Sequence, residues 1–180
     1  MIENAASLNK IIRNRRKDAE IKLGYKNLFV RIIVIIAVVL LVFTQVFMLA
    51  QVHGNEMFPA IKDGDLMLGF RLQSSYQKND VVFYEQGGET KVGRILAVEG
   101  DNVTIDENGY LYVNGTLQEG EILYPTYAKE GVSYPYTVPE ETVFILGDYR
   151  THSVDSRDFG AVSTDDVRAK VITILRRRTL

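Results

Sequence analysis

The spacing of apolar residues divides the chain in two, and the first part contains one long apolar run. Residues 29–50 are predominantly apolar, and no polar residue occurs between Ile32 and Phe43. A helix that spans a bilayer needs ~20 such residues. A cleaved signal peptide is the competing interpretation, but its apolar region is shorter, ~7 to 15 residues, and it ends in small residues. Because this run ends in the bulky stretch Phe47-Met48-Leu49, we predict an uncleaved transmembrane signal anchor at 29–50.

From residue 51 onwards the apolar residues come in short runs. These runs are rich in β-branched and aromatic residues and are separated by turn-forming residues, which is typical of strands. They cover 66–70, 80–84, 92–98, 102–105, 110–113, 142–146 and 169–175. Asn-Gly pairs at 108–109 and 114–115 are a strong hairpin signal. We therefore predict a mainly β domain of antiparallel strands over residues 51–180, with a loop or edge excursion at 119–139.

The distribution of charge predicts an orientation. Residues 1–31 carry eight Lys or Arg and three Asp or Glu, a net charge of +5, and the remaining residues carry −7. Basic residues normally flank the cytoplasmic end of a membrane span. We therefore expect residues 1–28 to form a basic cytoplasmic segment that is attracted to anionic lipid headgroups, and the β domain to be extracytoplasmic. The total charge of −2 gives no indication of nucleic-acid binding.

The chain has no cysteine, which excludes disulfides, thiolate catalysis and cysteine metal sites. Its two histidines, His53 and His152, are far apart in sequence, and no ligand spacing links them to a third residue. We expect neither a metal ion nor another cofactor.

Four motifs follow the apolar run in order. They are Gly54-Asn55-Glu56-Met57-Phe58-Pro59; Lys62-Asp63-Gly64-Asp65 with Asp80-Val81-Val82-Phe83; Val92-Gly93-Arg94-Ile95-Leu96; and Leu146-Gly147-Asp148-Tyr149 with Ser153-Val154-Asp155-Ser156-Arg157-Asp158-Phe159-Gly160. In this order they resemble the boxes of type I signal peptidases, the peptidase S26 family of membrane-anchored endopeptidases that remove secretory signal peptides. The resemblance covers residues 29–175 and implies the signal-peptidase β fold behind a single N-terminal transmembrane helix.

The resemblance also implies that the catalytic dyad is degenerate here. In the family a serine hydroxyl attacks the scissile carbonyl, and a neutral lysine accepts its proton. The residue at the serine position of this chain is Glu56, and the residue at the lysine position, directly before Arg94, is Gly93. A carboxylate would oppose the anionic tetrahedral intermediate, and glycine has no side chain to act as a base. We therefore predict no catalytic residue and no enzymatic activity.

Lys91 keeps an enzymatic alternative open. It lies two positions before Gly93, and side chains at i and i+2 share one face of a strand, so its amine could point toward the same cleft. It would be displaced by ~6 to 7 Å along the strand. A solvated lysine at a strand start is the simpler interpretation. The alternative is an active type I signal peptidase with a rearranged site.

Other residues of the boxes match the parts of the family's site that do no chemistry. Ser153 matches the hydroxyl that contacts the general base, and Asp155 with Arg94 and Arg157 matches a salt-bridge set that holds the wall of the site. Asp148 belongs to the same box. Without a base to orient, these five residues are predicted to remain as a structural scaffold.

A second set matches residues that border an extended peptide in the family. The set comprises Met57, Phe58, Pro59 and Ile61. We predict that these residues line a peptide groove, and the alternative is that they pack a turn or contact the outer lipid leaflet.

Family members without the Ser/Lys dyad form a known subgroup, the SipA-type signal-peptidase-like proteins of Gram-positive pilus loci, and this chain resembles them. The resemblance implies a non-cleaving, chaperone-like role in the assembly of sortase-built pili. The implied partners are the cell membrane and a pilin subunit or the assembly machinery, including sortase. The implied location is the cell membrane, crossed once, with the N-terminus in the cytoplasm.

Overall fold

The computed structural model describes residues 2–118 and 124–176, with side chains only at 13 and 15–17 among the first 20 residues. The chain divides into an N-terminal helix and a β body that begins at Val46. Helix α1 runs over Ile2–Val46, and its side chains from residue 21 to residue 45 are exposed. The stretch Arg15–Val46 is long and apolar enough to cross a membrane.

The body contains two antiparallel sheets. In chain order its elements are β1 (Phe47–Gln51), β2 (Leu66–Phe70), β3 (Val81–Gln86), β4 (Glu89–Val98), β5 (Asn102–Ile105), β6 (Leu111–Val113), β7 (Thr116–Leu117), β8 (Tyr136–Thr137), β9 (Thr142–Leu146), the helical turn α2 (Ser156–Phe159), β10 (Val162–Ser163) and β11 (Val167–Leu175). One sheet has the order β1-β2-β11-β3-β4-β9-β10, and the other has the order β7-β6-β5-β8. The mainly β fold predicted from the sequence is confirmed.

Two-residue turns with positive φ set two of the hairpins. Asn114-Gly115, with φ of 52° and 76°, joins β6 to β7, as the Asn-Gly signal predicts. Gly87-Gly88, with φ of 63° and 82°, joins β3 to β4. The second turn fixes the β3–β4 register in which Val82 lies opposite Gly93.

All seven predicted strands are present, but β1 lies inside the run predicted as the anchor. Helix α1 ends at Val46, and residues 47–50 belong to β1, which pairs with β2. Apolarity alone does not distinguish a buried strand from a helix. The apolar run therefore did not show where α1 ends and β1 begins. The sequence also missed β7, β8 and β10, because two-residue strands carry no detectable period.

Two packed clusters hold the elements that carry the candidate residues. One joins β3, β4 and β9 through side chains that are at most 1% exposed: Val82, Tyr84, Ile95 and Ile145. The other anchors the turn after β1 on β2, β3 and β11 through Met57, Ile61, Met67, Phe83 and Ala169. The candidate site is therefore supported by a packed interior on both sides.

Candidate functional site

The turn between β1 and β2, residues 52–65, fixes the position of Glu56. The N–H of Val52 donates to the carbonyl of Asp65 at 2.9 Å and closes the turn. Inside it, Met57 is 1% exposed and packs in the core. Glu56 is therefore a half-buried residue on an anchored backbone.

This turn packs directly against the fourth motif. The N–H of Tyr149 donates to the carbonyl of Glu56 at 2.9 Å. A Cβ atom built on Gly147 would lie 2.7 Å from that carbonyl oxygen and 2.3 Å from Cβ of Ser153. Only glycine permits so close an approach. The main chain of Glu56 therefore lies against the Gly147–Ser153 segment.

Gly93 reaches the same region from β4. A Cβ atom built there would lie 3.4 Å from the carbonyl oxygen of Leu146, 3.2 Å from the Tyr84 ring and 2.3 Å from Cγ2 of Ile145. The last distance is far below a normal carbon–carbon contact. The space that a side chain at position 93 would need is therefore filled by Ile145 and Tyr84.

Asp155 and Arg157 form a buried ion pair in the wall of the site. Each is 1% exposed, and Nε and Nη2 of Arg157 each donate to one carboxylate oxygen at 2.9 Å. The Ser153 hydroxyl and the Gly147 N–H donate to the same carboxylate at 2.7 and 3.1 Å. Burial alone would raise the pKa of Asp155, but Arg157 and these donors together hold that pKa below its usual value.

Arg94 forms a second bidentate pair, with Asp148. Its Nε and Nη2 donate to the two carboxylate oxygens at 2.9 and 2.7 Å. The resemblance implied one set of Asp155 with Arg94 and Arg157. The structure instead shows two bidentate pairs, Arg94–Asp148 and Arg157–Asp155.

Sequence reasoning missed Arg150, which is 2% exposed. Its Nε donates to the carbonyl of Gly147 at 2.9 Å, and its Nη1 donates to the hydroxyl of Thr126 at 2.7 Å. Burial and the nearby charge of Arg157 lower the pKa of Arg150 to about 10, so it is charged at neutral pH. It lies between the two parts of the fourth motif, where the sequence carried no signal.

The loop predicted at 119–139 is docked on this wall where the structure describes it; residues 119–123 lie outside the described residues. Lys129 Nζ donates to the carbonyl of Ser153 at 2.6 Å and to Asp158 at 2.7 Å. Nη1 of Arg157 donates to the carbonyl of Tyr127 at 3.2 Å. The loop therefore adds to the scaffold, in a way that its composition did not reveal.

A groove of about 580 Å³ opens beside Glu56. One side of the groove contains Ala50 and His53, and the other side contains residues 89–92. Among the described residues, β1 pairs only with β2. Residues 89–92 of β4 pair only with β3, because the pairing with β9 begins at Arg94. Both sides of the groove therefore present an unpaired strand edge.

The residues predicted to line this groove are placed differently from one another. Met57 borders the groove. Ile61 is 1% exposed and packs in the core, so it offers no open face. Phe58 and Pro59 are half-buried but lie outside the groove lining. Phe58 packs instead against Tyr149, with ring centroids 6.0 Å apart.

Tyr149 of the fourth motif is the centre of an aromatic stack. Its ring centroid lies 4.1 Å from that of His152 and 4.6 Å from that of Tyr124, and both neighbouring rings are tilted by about 30°. The stack joins the tyrosine-containing loop to the segment that supports Glu56.

Comparison with known proteins identifies the family of this chain. The sequence profile described as "Signal peptidase, peptidase S26" matches residues 25–175, most of the chain. This chain belongs to the signal peptidase family. The signal-peptidase-type β fold that the motifs implied is thereby shown.

Several signal peptidases are similar to this chain over most of their length. Signal peptidase IB of Staphylococcus aureus strain Mu50 is 31% identical, with 67% of this chain and 73% of the relative covered. Signal peptidase I of Bacillus caldolyticus is 30% identical, with 67% and 74% covered. A crystal structure of a signal peptidase I from Enterococcus faecalis V583 is 26% identical, with a TM-score of 0.47, and the match covers 56% of this chain and 98% of that chain.

At the two positions that the resemblance assigns to the signal peptidase dyad, this chain offers a carboxylate and a glycine. Tyr84, which is 1% exposed, lies beside position 93. Its burial, and then the charge of Glu56, raise the pKa of Tyr84, so its hydroxyl is protonated at neutral pH. It cannot replace a neutral amine as the base.

Lys91 lines the groove and pairs with Tyr84 in the β3–β4 register. A rearranged signal peptidase site needs an amine within hydrogen-bond reach of a hydroxyl. Among the side chains that the structure describes, no lysine amine bonds a hydroxyl; Lys78 and Lys170 bond carboxylates, and Lys129 bonds a carboxylate and a carbonyl. The geometry gives no support to the rearranged site.

Proposed function

We propose that this protein is a membrane-anchored, non-cleaving member of the signal peptidase family that binds an extended peptide segment in its groove. The observation that carries the proposal is the composition and packing of the two dyad positions. Glu56 supplies a carboxylate, and the space beside Gly93 is filled by Ile145 and Tyr84. Peptide hydrolysis by a Ser/Lys dyad needs an activated hydroxyl at position 56 and a neutral amine at position 93.

The unpaired edges of β1 and of residues 89–92 support the binding half of the proposal. An extended segment that enters the groove can form main-chain hydrogen bonds with either edge, and its alternate side chains then face the floor. The floor is apolar, with Met48, Met57 and Phe83 among its residues. None of these contacts requires catalysis.

The alternative function is that of an active signal peptidase with a rearranged site. The names of the relatives favour it, since they are signal peptidases. The residues at positions 56 and 93 oppose it. A cleavage assay distinguishes the two.

The orientation and the partner belong to the proposal as well. The basic residues 1–31 favour a cytoplasmic N-terminus and an extracytoplasmic body. The resemblance to SipA-type proteins suggests that the bound segment belongs to a pilin or to the pilus assembly machinery, including sortase. The proposed role is to hold that segment in an extended, chaperone-like complex at the cell membrane.

Crosslinking in living cells tests the use of the groove. A photoreactive residue is placed at Ala50, on the groove wall, and a matched one at Ile172, which is 52% exposed on β11 and lies outside the groove. We expect crosslinks to a pilin or an assembly protein from position 50 and none from position 172. Equal crosslinking from both positions would show that the groove is not the binding site.

A blocking variant tests whether that binding matters. Ala50→Trp narrows the groove from a half-buried position, whereas Met57→Trp would also disturb the core. We expect Ala50→Trp to abolish pilus display while the protein accumulates in the membrane, and Ile172→Trp to leave display intact. Normal display with Ala50→Trp would refute a role of the groove in assembly.

A further inference from the structure

Among the described side chains, Glu56 differs from the other carboxylates of comparable burial. Among the side chains that the structure describes, the remaining buried or half-buried carboxylates all form an ion pair or accept hydrogen bonds. They are Asp65, Asp80, Glu85, Asp101, Asp106, Asp148, Asp155 and Asp158. The half-buried Glu56 carboxylate does neither, although its main-chain carbonyl accepts from Tyr149.

This unpaired carboxylate faces the groove. Glu56 is part of the groove lining, and its charge contributes, after burial, to the raised pKa of Tyr84. A partly desolvated charge without a partner is unfavourable, and a cation that reached it would recover that cost. Lys91 lines the same groove but forms no ion pair with Glu56 in the described ranges.

We propose that Glu56 selects a peptide segment with a lysine or arginine at the position that faces it. The inference rests on the proposed peptide-binding function of the groove and adds the chemistry of the ligand. An ammonium or guanidinium group would form charge-assisted hydrogen bonds with the carboxylate. The residue at the dyad's nucleophile position thereby becomes a determinant of binding specificity.

The geometry limits the selection to a single position of the ligand. Side chains on one face of an extended segment are ~7 Å apart, so only one of them lies opposite Glu56. Lys91 borders the same groove and repels a second cation. We therefore expect one basic residue flanked by uncharged or acidic residues, rather than a polybasic run.

Selection from a phage-displayed library of randomised nine-residue peptides tests this inference. The bait is the full-length protein in detergent, as wild type, Glu56→Gln and Glu56→Lys. Glu140→Gln serves as the matched control, because Glu140 is an exposed carboxylate outside the groove. Ala50→Trp controls for binding outside the groove.

The inference predicts that wild type enriches Lys or Arg about tenfold at one position, the size of one charge-assisted bond. Glu56→Gln should lose this preference while it still retains peptides, Glu56→Lys should enrich Asp or Glu there, and Glu140→Gln should behave as wild type. Peptides without a basic preference, or with one that Glu56→Gln keeps, would overturn the inference alone. No retained peptides, or peptides that Ala50→Trp retains equally, would overturn the groove function as well.

Discussion

Two parts of the same site differ in how their side chains are paired. The wall is a connected set of buried polar groups. Arg157 forms a bidentate ion pair with Asp155, and the Ser153 hydroxyl and the Gly147 N–H donate to the same carboxylate. At the two positions that the resemblance assigns to the dyad, by contrast, the Glu56 carboxylate has no partner among the described side chains, and a Cβ atom at Gly93 would lie 2.3 Å from Cγ2 of Ile145. The polar groups of the wall therefore pair with one another, and the side chains at the two assigned positions take no part in that pairing.

The difference separates residues that stabilise this fold from residues that border its groove. Buried charged groups are costly to leave unpaired, so members of the wall cannot change one at a time without a loss of stability. Position 56 lies at the groove surface and can change without that penalty. We propose that the fold persists without the reaction, because the wall stabilises the fold and the two assigned positions do not.

The largest effect is expected from breaking the wall. Asp155→Ala leaves Arg157 buried without its carboxylate, and we expect a loss of about 3 kcal/mol in the free energy of unfolding. Denaturant unfolding of the full-length protein in detergent, followed by the near-ultraviolet circular dichroism of its tyrosines, measures this loss. The control is Glu85→Ala, which breaks the more exposed Arg168–Glu85 pair and should cost under about 1 kcal/mol. Equal losses would show that the wall does not stabilise the body.

The next effect concerns the room at position 93. In Gly93→Ala the new methyl group overlaps Cγ2 of Ile145, and overpacking of this kind should cost about 2 kcal/mol. Adding Ile145→Ala removes the overlap, so the double variant should be more stable than the sum of the two single losses predicts. Additive losses in this cycle would mean that the space beside Gly93 is not filled as described.

A smaller effect is expected from pH. The folded-state pKa of Asp155 is held below its usual value of 3.8. A group whose pKa is lower when folded contributes stability that is complete above its unfolded pKa and is lost as the pH falls through the folded value. Wild type should therefore lose stability as the pH falls below about 4, and Asp155→Asn should have a lower but flatter profile. Parallel profiles for the two proteins would contradict this origin of acid sensitivity.

The smallest effect is expected at position 56. Glu56→Ser removes an unpaired carboxylate from a half-buried position, so the free energy of unfolding should change by less than about 0.5 kcal/mol. The same denaturant titration measures it. A loss above about 1 kcal/mol would place Glu56 in the scaffold and remove the contrast between the two parts of the site.

The sequence predicted the strands and motifs well because both are local. Residues 66–70, 102–105 and 142–146 form strands with the predicted ends, since each run is bounded by turn residues. The end of α1 and the start of β1 were not predictable, because residues 47–50 are apolar in either state. The ordered motifs named residues of the wall, but they did not show how those residues pair.

The parts of the site that the sequence did not predict depend on contacts between distant segments. Arg94 pairs with Asp148 because β4 and β9 are neighbours. Arg150 is buried because the loop that carries Thr126 covers it. Ile61, which the motif suggested for the groove, turns into the core through packing that no single motif contains.

The most direct test of the central claim is a cleavage assay. The purified full-length protein in detergent is incubated with a secretory preprotein, and an active signal peptidase serves as the positive control. We predict no cleavage above the buffer control for wild type. We predict the same for the double variant Glu56→Ser/Gly93→Lys, because the lysine side chain at position 93 would overlap Ile145. Cleavage by wild type that Lys91→Ala abolishes would contradict the account and establish a signal peptidase with a rearranged site.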